Sequence, residues 1–232
     1  MVIDFDPKDP FPAVPQDQNT YAYEQQHAKE ADEWLGFHIK EIEDEITERN
    51  PDAAKRARLS GNEERWVGLA PETLQTPYVE FRAILDLLKP KAGQTVVDLG
   101  AAYGRLGFVI ARHYPGVKFV GYELLPERVL EGRRVLAAHG SADTLLLKAD
   151  LSLPDFKPAQ ADFYFIYDFG SRGAIDKVLV DLKEISCTRA ITVVGRGRAI
   201  RDAIEREQPW LSAVVKPIHY ARFSIYQSRE LS

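Results

Sequence analysis

From Thr95 onward the sequence alternates between short apolar runs and longer helix-like segments, and this alternation restricts the possible folds more than any other feature. The apolar runs are rich in β-branched and aromatic residues and cover Thr95–Leu99, Lys118–Tyr122, Thr144–Leu147, Asp162–Tyr167 and Ala190–Val194. Helix-like segments follow them at Gly104–Tyr114, Pro126–His139, Ser171–Ile185 and Arg198–Gln208. Strands that alternate with helices over short connections predict a parallel sheet covered by helices on both faces.

The C-terminal stretch breaks this alternation. Ser212–Ser228 contains two strand-like runs with no helix between them, and the chain pivots near Pro217–Tyr220. This pattern predicts an antiparallel hairpin that closes the sheet. The sequence therefore predicts an α/β fold with a doubly wound, mostly parallel seven-stranded sheet and a C-terminal antiparallel hairpin.

The N-terminal part of the chain is organised differently. Residues 1–20 are rich in proline and aspartate, which predicts an extended or disordered arm. Residues 21–72 form a predicted helical extension, and residues 73–232 form the predicted sheet-containing domain. From Tyr21 to about Arg58 the apolar residues recur at three- and four-residue steps, which predicts one helix that Asn50-Pro51 interrupts.

The predicted N-terminal helix carries an apolar stripe of Ala31, Leu35, Ile39, Ile42 and Ile46. We expect this stripe to pack on the domain that follows, as a brace and a substrate lid. Packing on a partner subunit, in a homodimer, is the alternative.

Composition narrows the class of protein. With 232 residues and 45% hydrophobic residues the chain can bury a real core. Cys187 is the one cysteine, which excludes an intramolecular disulfide and a cysteine-rich zinc site and indicates a reducing cytoplasm. The histidines show no metal-binding spacing, so we expect no metal. The first residues do not resemble a signal peptide, and no apolar run approaches the roughly 20 residues that span a bilayer.

The net charge of −5 argues against a broad surface for nucleic acid, so we expect neither DNA nor a membrane as a partner. Two short basic runs, Ala54–Ser60 and Gly195–Arg201, are interpreted as a solvated helix face or a helix start. The second run lies within the stretch VVGRGRAIRDAIE, residues 193–205, which imitates a nucleotide-binding loop but lies at the fifth strand. A strand-to-helix turn is the better interpretation, in which Arg196 and Arg198 are candidates to face a substrate.

The stretch VVDLGAAYGRLG, residues 96–107, carries the first candidate site. It runs from an apolar strand through Asp98 into a glycine-containing turn and then into a helix. Gly100 permits a turn that a Cβ would obstruct, and Gly104 lets the backbone approach a ligand at the helix start. A dinucleotide-binding enzyme favours Gly-x-Gly-x-x-Gly here, whereas this chain has acid-x-Gly-x-x-x-Gly. Short glycine motifs also occur in simple tight turns, so the loop alone does not identify a ligand.

Glu123 directly follows the second predicted strand, 23 residues beyond Gly100, near the position at which an acid binds a ribose. One carboxylate can accept hydrogen bonds from both vicinal hydroxyls. With Asp98, Gly100 and the terminal hairpin, this arrangement resembles the class I (seven-stranded, Rossmann-like) S-adenosylmethionine (SAM)-dependent methyltransferases over about Thr73–Ser228. The resemblance implies SAM as the cofactor, whose ammonium, carboxylate and sulfonium suit an acid beside backbone N–H groups.

The resemblance also implies residue roles. Asp98 would lie near the methionine moiety, Glu123 would bind the ribose, and Leu124 would pack on the adenine. At the end of the third strand, Ala149 and Asp150 match the motif that meets the adenine ring, with a turn or N-cap aspartate as the alternative for Asp150.

The central glycine of the family loop is replaced in this chain by Ala102. A methyl group is tolerated there if the φ angle is negative, so we expect a negative φ at Ala102. We also expect Tyr103 to cover the loop.

The fourth strand ends in Tyr167, Asp168 and Phe169, where the family presents the methyl acceptor. A carboxylate at Asp168 can orient an acceptor and take its proton, and an aromatic face of Tyr167 or Phe169 can stabilise a cation. The alternative is that these aromatic rings belong to the core, which is the expectation for Tyr164.

The segment LQTPYVEFRAILDLLKPKAGQTVVDLG further resembles the seven-stranded protein lysine methyltransferases outside the SET group. In that group the loop before the helix closes over the methionine end of the cofactor, which implies that Thr76, Pro77 and Tyr78 lie there. The predicted acceptor is a protein lysine amine. A small-molecule or RNA acceptor, a non-catalytic SAM-binding partner subunit and, less favoured, an NAD-dependent oxidoreductase are the alternatives.

Overall fold

The computed structural model describes residues 3–14, 21–51, 67–68, 70, 75–139, 143–167 and 169–230. Its strands are β1 (Thr95–Leu99), β2 (Lys118–Glu123), β3 (Thr144–Lys148), β4 (Phe163–Tyr167), β5 (Thr192–Arg196), β6 (Ile218–His219) and β7 (Phe223–Gln227). The described helices are α1 (Tyr21–Leu35), α2 (Ile39–Arg49), α3 (Tyr78–Leu88), α4 (Arg105–His113), α5 (Pro126–Ala138), α6 (Arg172–Ser186), α7 (Arg198–Glu207) and α8 (Pro209–Ser212). None of these helices is long and apolar enough to cross a membrane.

The strands form one seven-stranded sheet in the order β3-β2-β1-β4-β5-β7-β6. Strands β1 to β5 pair in parallel, whereas β7 is antiparallel to both β5 and β6. The predicted mostly parallel sheet with a C-terminal antiparallel hairpin is therefore confirmed.

Neighbouring residues of each central strand face opposite sides of the sheet, and both sides are covered. Val96 of β1 packs in a core with α3, α4 and α5, whereas Val97 packs in a second core with α6 and α7. Both valines are fully buried. A strand buried on both faces needs a continuous apolar run, which explains why the strands were readable from the sequence.

The N-terminal helix differs from the prediction of one continuous helix. Gly36 adopts a φ of 81°, and the N–H of Phe37 donates to the carbonyl of Asp32 over 3.0 Å. This geometry ends α1 with a left-handed glycine, and α2 begins three residues later. The prediction up to Arg58 was wrong at this break, and its last part, residues 52–58, lies outside the described residues.

The C-terminal hairpin is present, but its turn was predicted too early. Pro217–Tyr220 was expected to be the pivot, yet Ile218 and His219 form β6. The turn instead spans Tyr220–Phe223, where the Tyr220 N–H donates to the Phe223 carbonyl over 2.9 Å and the two rings stack at 4.5 Å. Ring stacking fixes the turn three residues beyond the proline.

The N-terminal helices pack on the sheet-containing part of the chain. Ala31, Leu35 and Ile39 share one core with residues of α3 and α4, and Ile46 shares a smaller one with Val67 and Leu125. Three acids of α1 and α2 also form ion pairs with arginines beyond residue 100: Glu24 with Arg222, Asp32 with Arg105 and Glu43 with Arg128. Because these acids are buried, the extension is held by paired charges as well as by apolar contacts.

Candidate functional site

A cleft opens at the carboxyl ends of β1, β4 and β5. This is the edge at which open α/β sheets bind ligands. Apolar and aromatic side chains make up much of its lining, with a few charged and amide groups between them. The lining residues are Gln75, Thr76, Phe81, Ile84, Asp98, Gly100, Ala101, Ala102, Arg105, Phe165, Ile166, Tyr167, Val194 and Arg196.

Strand register places four candidate positions in one row along this edge. Leu99 pairs with Tyr122 on one side and with Ile166 on the other, so the next residue of each strand continues the row. Tyr167 in turn pairs with Arg196. The row therefore reads Glu123, Gly100, Tyr167 and Arg196, with about 4.8 Å between neighbouring strands.

The backbone geometry of the turn after β1 requires glycine at position 100. Its φ is 99°, and a Cβ on it would lie 2.7 Å from the Cβ of Phe169. Phe169, a predicted acceptor-side residue, therefore packs directly against the turn that follows β1. Gly104, with a φ of 83°, is the left-handed residue from which α4 starts.

The expected negative φ of Ala102 is wrong, because its φ is 47°. The left-handed conformation costs a non-glycine residue roughly 1–2 kcal/mol. It turns the Ala102 N–H toward Glu123, whose Oε2 accepts that hydrogen bond over 3.0 Å. The bond to a buried carboxylate offsets the strain in the loop.

Asp98 lies buried in the lining of the cleft, and no described residue donates a hydrogen bond to its carboxyl group. Burial, and secondly the nearby charge of Glu123, raise the pKa of Asp98 to about 7. A buried carboxyl without a cation favours a ligand that brings one.

Glu123 is buried at the end of β2 and holds the loop rather than lining the cleft. Its Oε1 accepts a hydrogen bond from the Leu125 N–H over 2.9 Å and lies 3.7 Å from Nη1 of Arg128. Arg128 is bound on its other edge by Glu43, at 2.8 and 3.0 Å. A carboxylate offers about four lone-pair directions, so capacity for ribose hydroxyls remains.

Two predicted cofactor residues have their side chains engaged elsewhere. The Tyr103 hydroxyl donates to Glu43 over 2.7 Å, and the Tyr78 hydroxyl donates to Asp32 over 2.6 Å. Both rings are buried and neither lines the cleft. Thr76 does line it, and its carbonyl accepts a hydrogen bond from Nη1 of Arg105 over 3.3 Å.

The residues predicted to meet adenine lie next to Glu123, outside the lining of this cleft. Leu124 and Ala149 are half-buried, and the Ala149 N–H donates to the Glu123 carbonyl over 2.9 Å. Asp150 accepts hydrogen bonds on Oδ1 from the backbone and the hydroxyl of Ser152, at 3.0 and 2.6 Å. The contact with Ser152 is the turn contact expected under the alternative interpretation of Asp150. It involves Oδ1 only.

On the acceptor side, Tyr167 lines the cleft and Phe169 packs behind it. The guanidinium carbon of Arg196 lies 4.7 Å from the centre of the Tyr167 ring. Asp168, the predicted proton acceptor, lies outside the described residues. Tyr164 is fully buried, as expected for a core residue.

Sequence reasoning missed several lining residues, above all Gln75 and Arg105. Gln75 is buried, and neither polar atom of its amide has a hydrogen-bond partner in the described part of the chain. Its position just before the Thr76-Pro77 loop, which was predicted to lie at the cofactor, could have indicated that Gln75 lines the cleft. The apolar side chains of Phe81 and Phe165 were assigned to a helix face and a strand without a role in a cleft. Among the described residues no group of three or more His, Cys, Asp or Glu could hold a metal ion.

No protein-family model and no curated protein matches the sequence. Among solved structures, TrmN from Thermus thermophilus is 17% identical over 66% of this chain and 48% of that chain, with a TM-score of 0.50. The pyocyanin biosynthetic protein PhzM is 16% identical over 78% of this chain and 70% of that chain, with a TM-score of 0.53. The match thus spans about half the length of TrmN.

A third solved structure is an RNA methyltransferase from Salinibacter ruber in complex with S-adenosyl-L-homocysteine, 19% identical over 68% of this chain and 95% of that chain, with a TM-score of 0.49. At these identities a structural likeness establishes the fold and no more. The strand order, the antiparallel β7 and the likeness to TrmN and PhzM agree: the chain has the fold of the class I SAM-dependent methyltransferases.

Proposed function

We propose that the protein is a SAM-dependent methyltransferase. The observation that carries the proposal is the buried carboxyl of Asp98, which lines the cleft beside Gly100 and has no hydrogen-bond donor among the described residues. The ammonium group of an amino-acid moiety would supply the missing cation. In this proposal residues 73–232 form the methyltransferase domain, and residues 21–72 brace it.

The residues present suit SAM along the whole row. Thr76, Asp98 and the Gly100 turn would hold the methionine end, and the free lone pairs of Glu123 would accept the ribose hydroxyls. Leu124, Ala149 and Asp150 would meet the adenine. The backbone of Ala102, Tyr103 and Gly104 would contact the cofactor as parts of the loop, and Tyr78 would act by fixing the preceding segment.

When bound, SAM would supply a methyl group attached to a positively charged sulfur, and a lone pair of the acceptor would displace that sulfur in line. The work left to this chain is to hold the acceptor in that line and to exclude water. Tyr167 and Phe169 would shape the acceptor end of the cleft, and Asp168 would orient the acceptor and take its proton where it has one to lose.

The acceptor predicted from the sequence is a protein lysine amine. One observation favours a small-molecule acceptor as a second candidate. Arg196 lines the acceptor end of the cleft and already faces the Tyr167 ring, so a lysine ammonium approaching Tyr167 would meet a like charge. Radiolabelled methyl transfer from SAM into a cell lysate separates these candidates, because label enters either the protein or the small-molecule fraction.

Calorimetric titration tests the cofactor. We expect saturable binding of SAM and of S-adenosylhomocysteine, and no comparable binding of NADH. Absence of SAM binding at millimolar concentration would overturn the proposal, as would a clear preference for NADH. For catalysis, Asp168→Ala should lower turnover more than SAM affinity, and the reverse pattern would remove Asp168 from the acceptor side.

A further inference from the structure

At the end of the cleft opposite the glycine loop, the guanidinium group of Arg196 has hydrogen-bond donors that no described residue uses. Arg196 donates from Nε and Nη2 to Glu80, at 2.7 and 3.4 Å, and no described residue accepts from its Nη1. An arginine has five N–H donors in a planar fork that matches a carboxylate. The Arg196 side chain is 12% exposed and lines the cleft, so the unused donors are available to a ligand there.

The carboxylates that balance Arg196 are kept away from the cleft. Glu80 is fully buried, lies outside the lining and is shared with Arg222, whose Nε is 2.8 Å from its Oε2. Arg222 is bound in turn by Glu24, at 2.8 and 2.6 Å. A ligand in the cleft therefore meets Arg196, one of the two cations of this four-residue network, before it meets either of the two anions.

Another polar group that lines this cleft is the amide of Gln75. Gln25 donates from Nε2 to the Gln75 carbonyl over 2.9 Å and to the Tyr21 hydroxyl over 2.7 Å. The centre of the Tyr21 ring lies 5.6 Å from the guanidinium carbon of Arg196, so Gln75 is close to the Arg196 end. Gln75 is 4% exposed and lines the same cleft, and neither the nitrogen nor the oxygen of its amide has a hydrogen-bond partner among the described residues. A buried polar group without a partner is costly, and such groups in folded proteins usually meet a ligand or water. The amide NH₂ can donate to an anionic oxygen.

We propose that Arg196 and Gln75 form a carboxylate subsite, and that the methyl acceptor is a small molecule with a carboxylate on an apolar or aromatic body. The body would lie against the apolar lining, which includes Phe81, Phe165 and Val194. This inference rests on the proposed methyltransferase function and specifies its substrate class.

A carboxylate at this subsite has two sources, the acceptor and the methionine end of SAM itself. The strand row separates them. Arg196 lies two strands from Gly100, roughly 10 Å along the edge of the sheet, with Tyr167 between them. Asp98, the group suited to the amino-acid ammonium, lies on β1 beside Gly100. The far position of Arg196 favours the acceptor as the source.

The test uses the full-length protein and three probes of one shape: benzoate, benzamide and benzylamine. Calorimetry first measures S-adenosylhomocysteine binding, which reports on the proposed function alone, and then titrates each probe into the free and the S-adenosylhomocysteine-loaded protein. We expect benzoate to bind the loaded protein about tenfold or more tightly than benzamide, and benzylamine not to bind. Equal binding of benzoate and benzamide, preference for benzylamine, or no benzoate binding at millimolar concentration overturns the subsite.

The loaded and free proteins distinguish the two sources of the carboxylate. Benzoate that binds only the free protein and is displaced by S-adenosylhomocysteine would assign the subsite to the cofactor, which overturns the acceptor assignment. If S-adenosylhomocysteine itself does not bind, the proposed function fails, and the benzoate titration of the free protein still decides whether a carboxylate site exists.

Variants locate the binding. Arg196→Gln should weaken benzoate binding about tenfold or more, and Gln75→Leu should weaken it several-fold, with S-adenosylhomocysteine affinity retained in both. Arg222→Lys is the matched control, since it perturbs the same charge network outside the cleft and should leave benzoate binding within about twofold. Thermal unfolding checks that each variant is folded, and Gln75→Leu, which breaks no ion pair, keeps the test decisive if Arg196→Gln is not. Unchanged benzoate affinity in a folded Gln75→Leu or Arg196→Gln protein overturns the proposal.

Discussion

Replacing Asp98 by asparagine should stabilise the ligand-free protein at neutral and alkaline pH while weakening its affinity for SAM. The wild-type carboxyl is buried and receives no hydrogen bond from a described residue, and burial raises its pKa from the ordinary 3.8 to about 7. Because the folded state holds this proton more tightly than the unfolded chain, ionisation above pH 7 works against folding. The asparagine side chain has nearly the same shape and never ionises.

The size of the effect follows from the two pKa values. The rise from 3.8 to about 7 corresponds to at most about 4 kcal/mol of unfolding free energy. This contribution is fully present below pH 4, is lost progressively as the pH rises through about 7, and does not change further above it. The unfolding free energy of Asp98→Asn relative to wild type should therefore increase by up to about 4 kcal/mol between pH 4 and pH 8.

Urea unfolding of both proteins across this pH range measures the difference, with the exposed Asp155→Asn as a control that should follow wild type. Calorimetry completes the test. A cation beside Asp98 favours its ionised form, so the SAM affinity of the wild type should increase by up to about tenfold for each unit by which the pH rises toward 7. The asparagine variant should bind more weakly at pH 8 and lack this pH dependence. Parallel unfolding profiles for wild type and Asp98→Asn would refute the reasoning.

Three further substitutions test the loop and its supports. Gly100→Ala should lower the unfolding free energy by about 2–5 kcal/mol, because strain at a φ of 99° adds to a clash at 2.7 Å. Gly93 has a similar φ and no close neighbour, so Gly93→Ala should cost only about 1–2 kcal/mol in thermal or urea unfolding. Equal costs for the two variants would exclude the clash. Glu123→Ala should weaken SAM binding by about 1–3 kcal/mol in calorimetry, and an unchanged affinity in folded protein would remove Glu123 from the site. Glu43→Ala should lower the unfolding free energy by about 3–5 kcal/mol, because it removes a carboxylate that pairs with the buried Arg128. Asp44→Ala breaks a surface pair with Lys40 and should cost at most about 1 kcal/mol. Similar losses in urea unfolding would show that burial of the Glu43–Arg128 pair is unimportant.

The central strands could be predicted to within about two residues because they are buried on both faces and need a continuous apolar run. The predicted first strand, Thr95–Leu99, coincides with the observed β1. The break at Gly36 was less visible, since apolar residues continue at helical spacing on both sides of it. The hairpin turn was misplaced because a proline was weighed above the stacking of Tyr220 on Phe223, a contact that exists only in the folded chain.

Site positions that depend on one strand end were predictable, whereas positions that depend on distant partners were not. Asp98 and Gly100 follow from their place after β1. The left-handed Ala102 depends on the carboxylate of Glu123, and the role of Arg196 depends on Glu80, which lies 116 residues away in the sequence. No local pattern carries such information, because the partners meet only when the sheet is assembled.

The charges around the cleft also bear on which cofactor fits. Of the charged residues that line it, Arg105 is paired with the buried Asp32 and Arg196 with the buried Glu80, whereas Asp98 has no cation among the described residues. A dinucleotide would bring two phosphate charges to a turn whose nearest ionisable group is an acid, so each would add repulsion. SAM carries an ammonium and a sulfonium against one carboxylate, and its net positive charge complements the unpaired Asp98. Electrostatics thus supports SAM independently of the glycine pattern, and predicts that ionisation of Asp98 and binding of the cofactor favour each other.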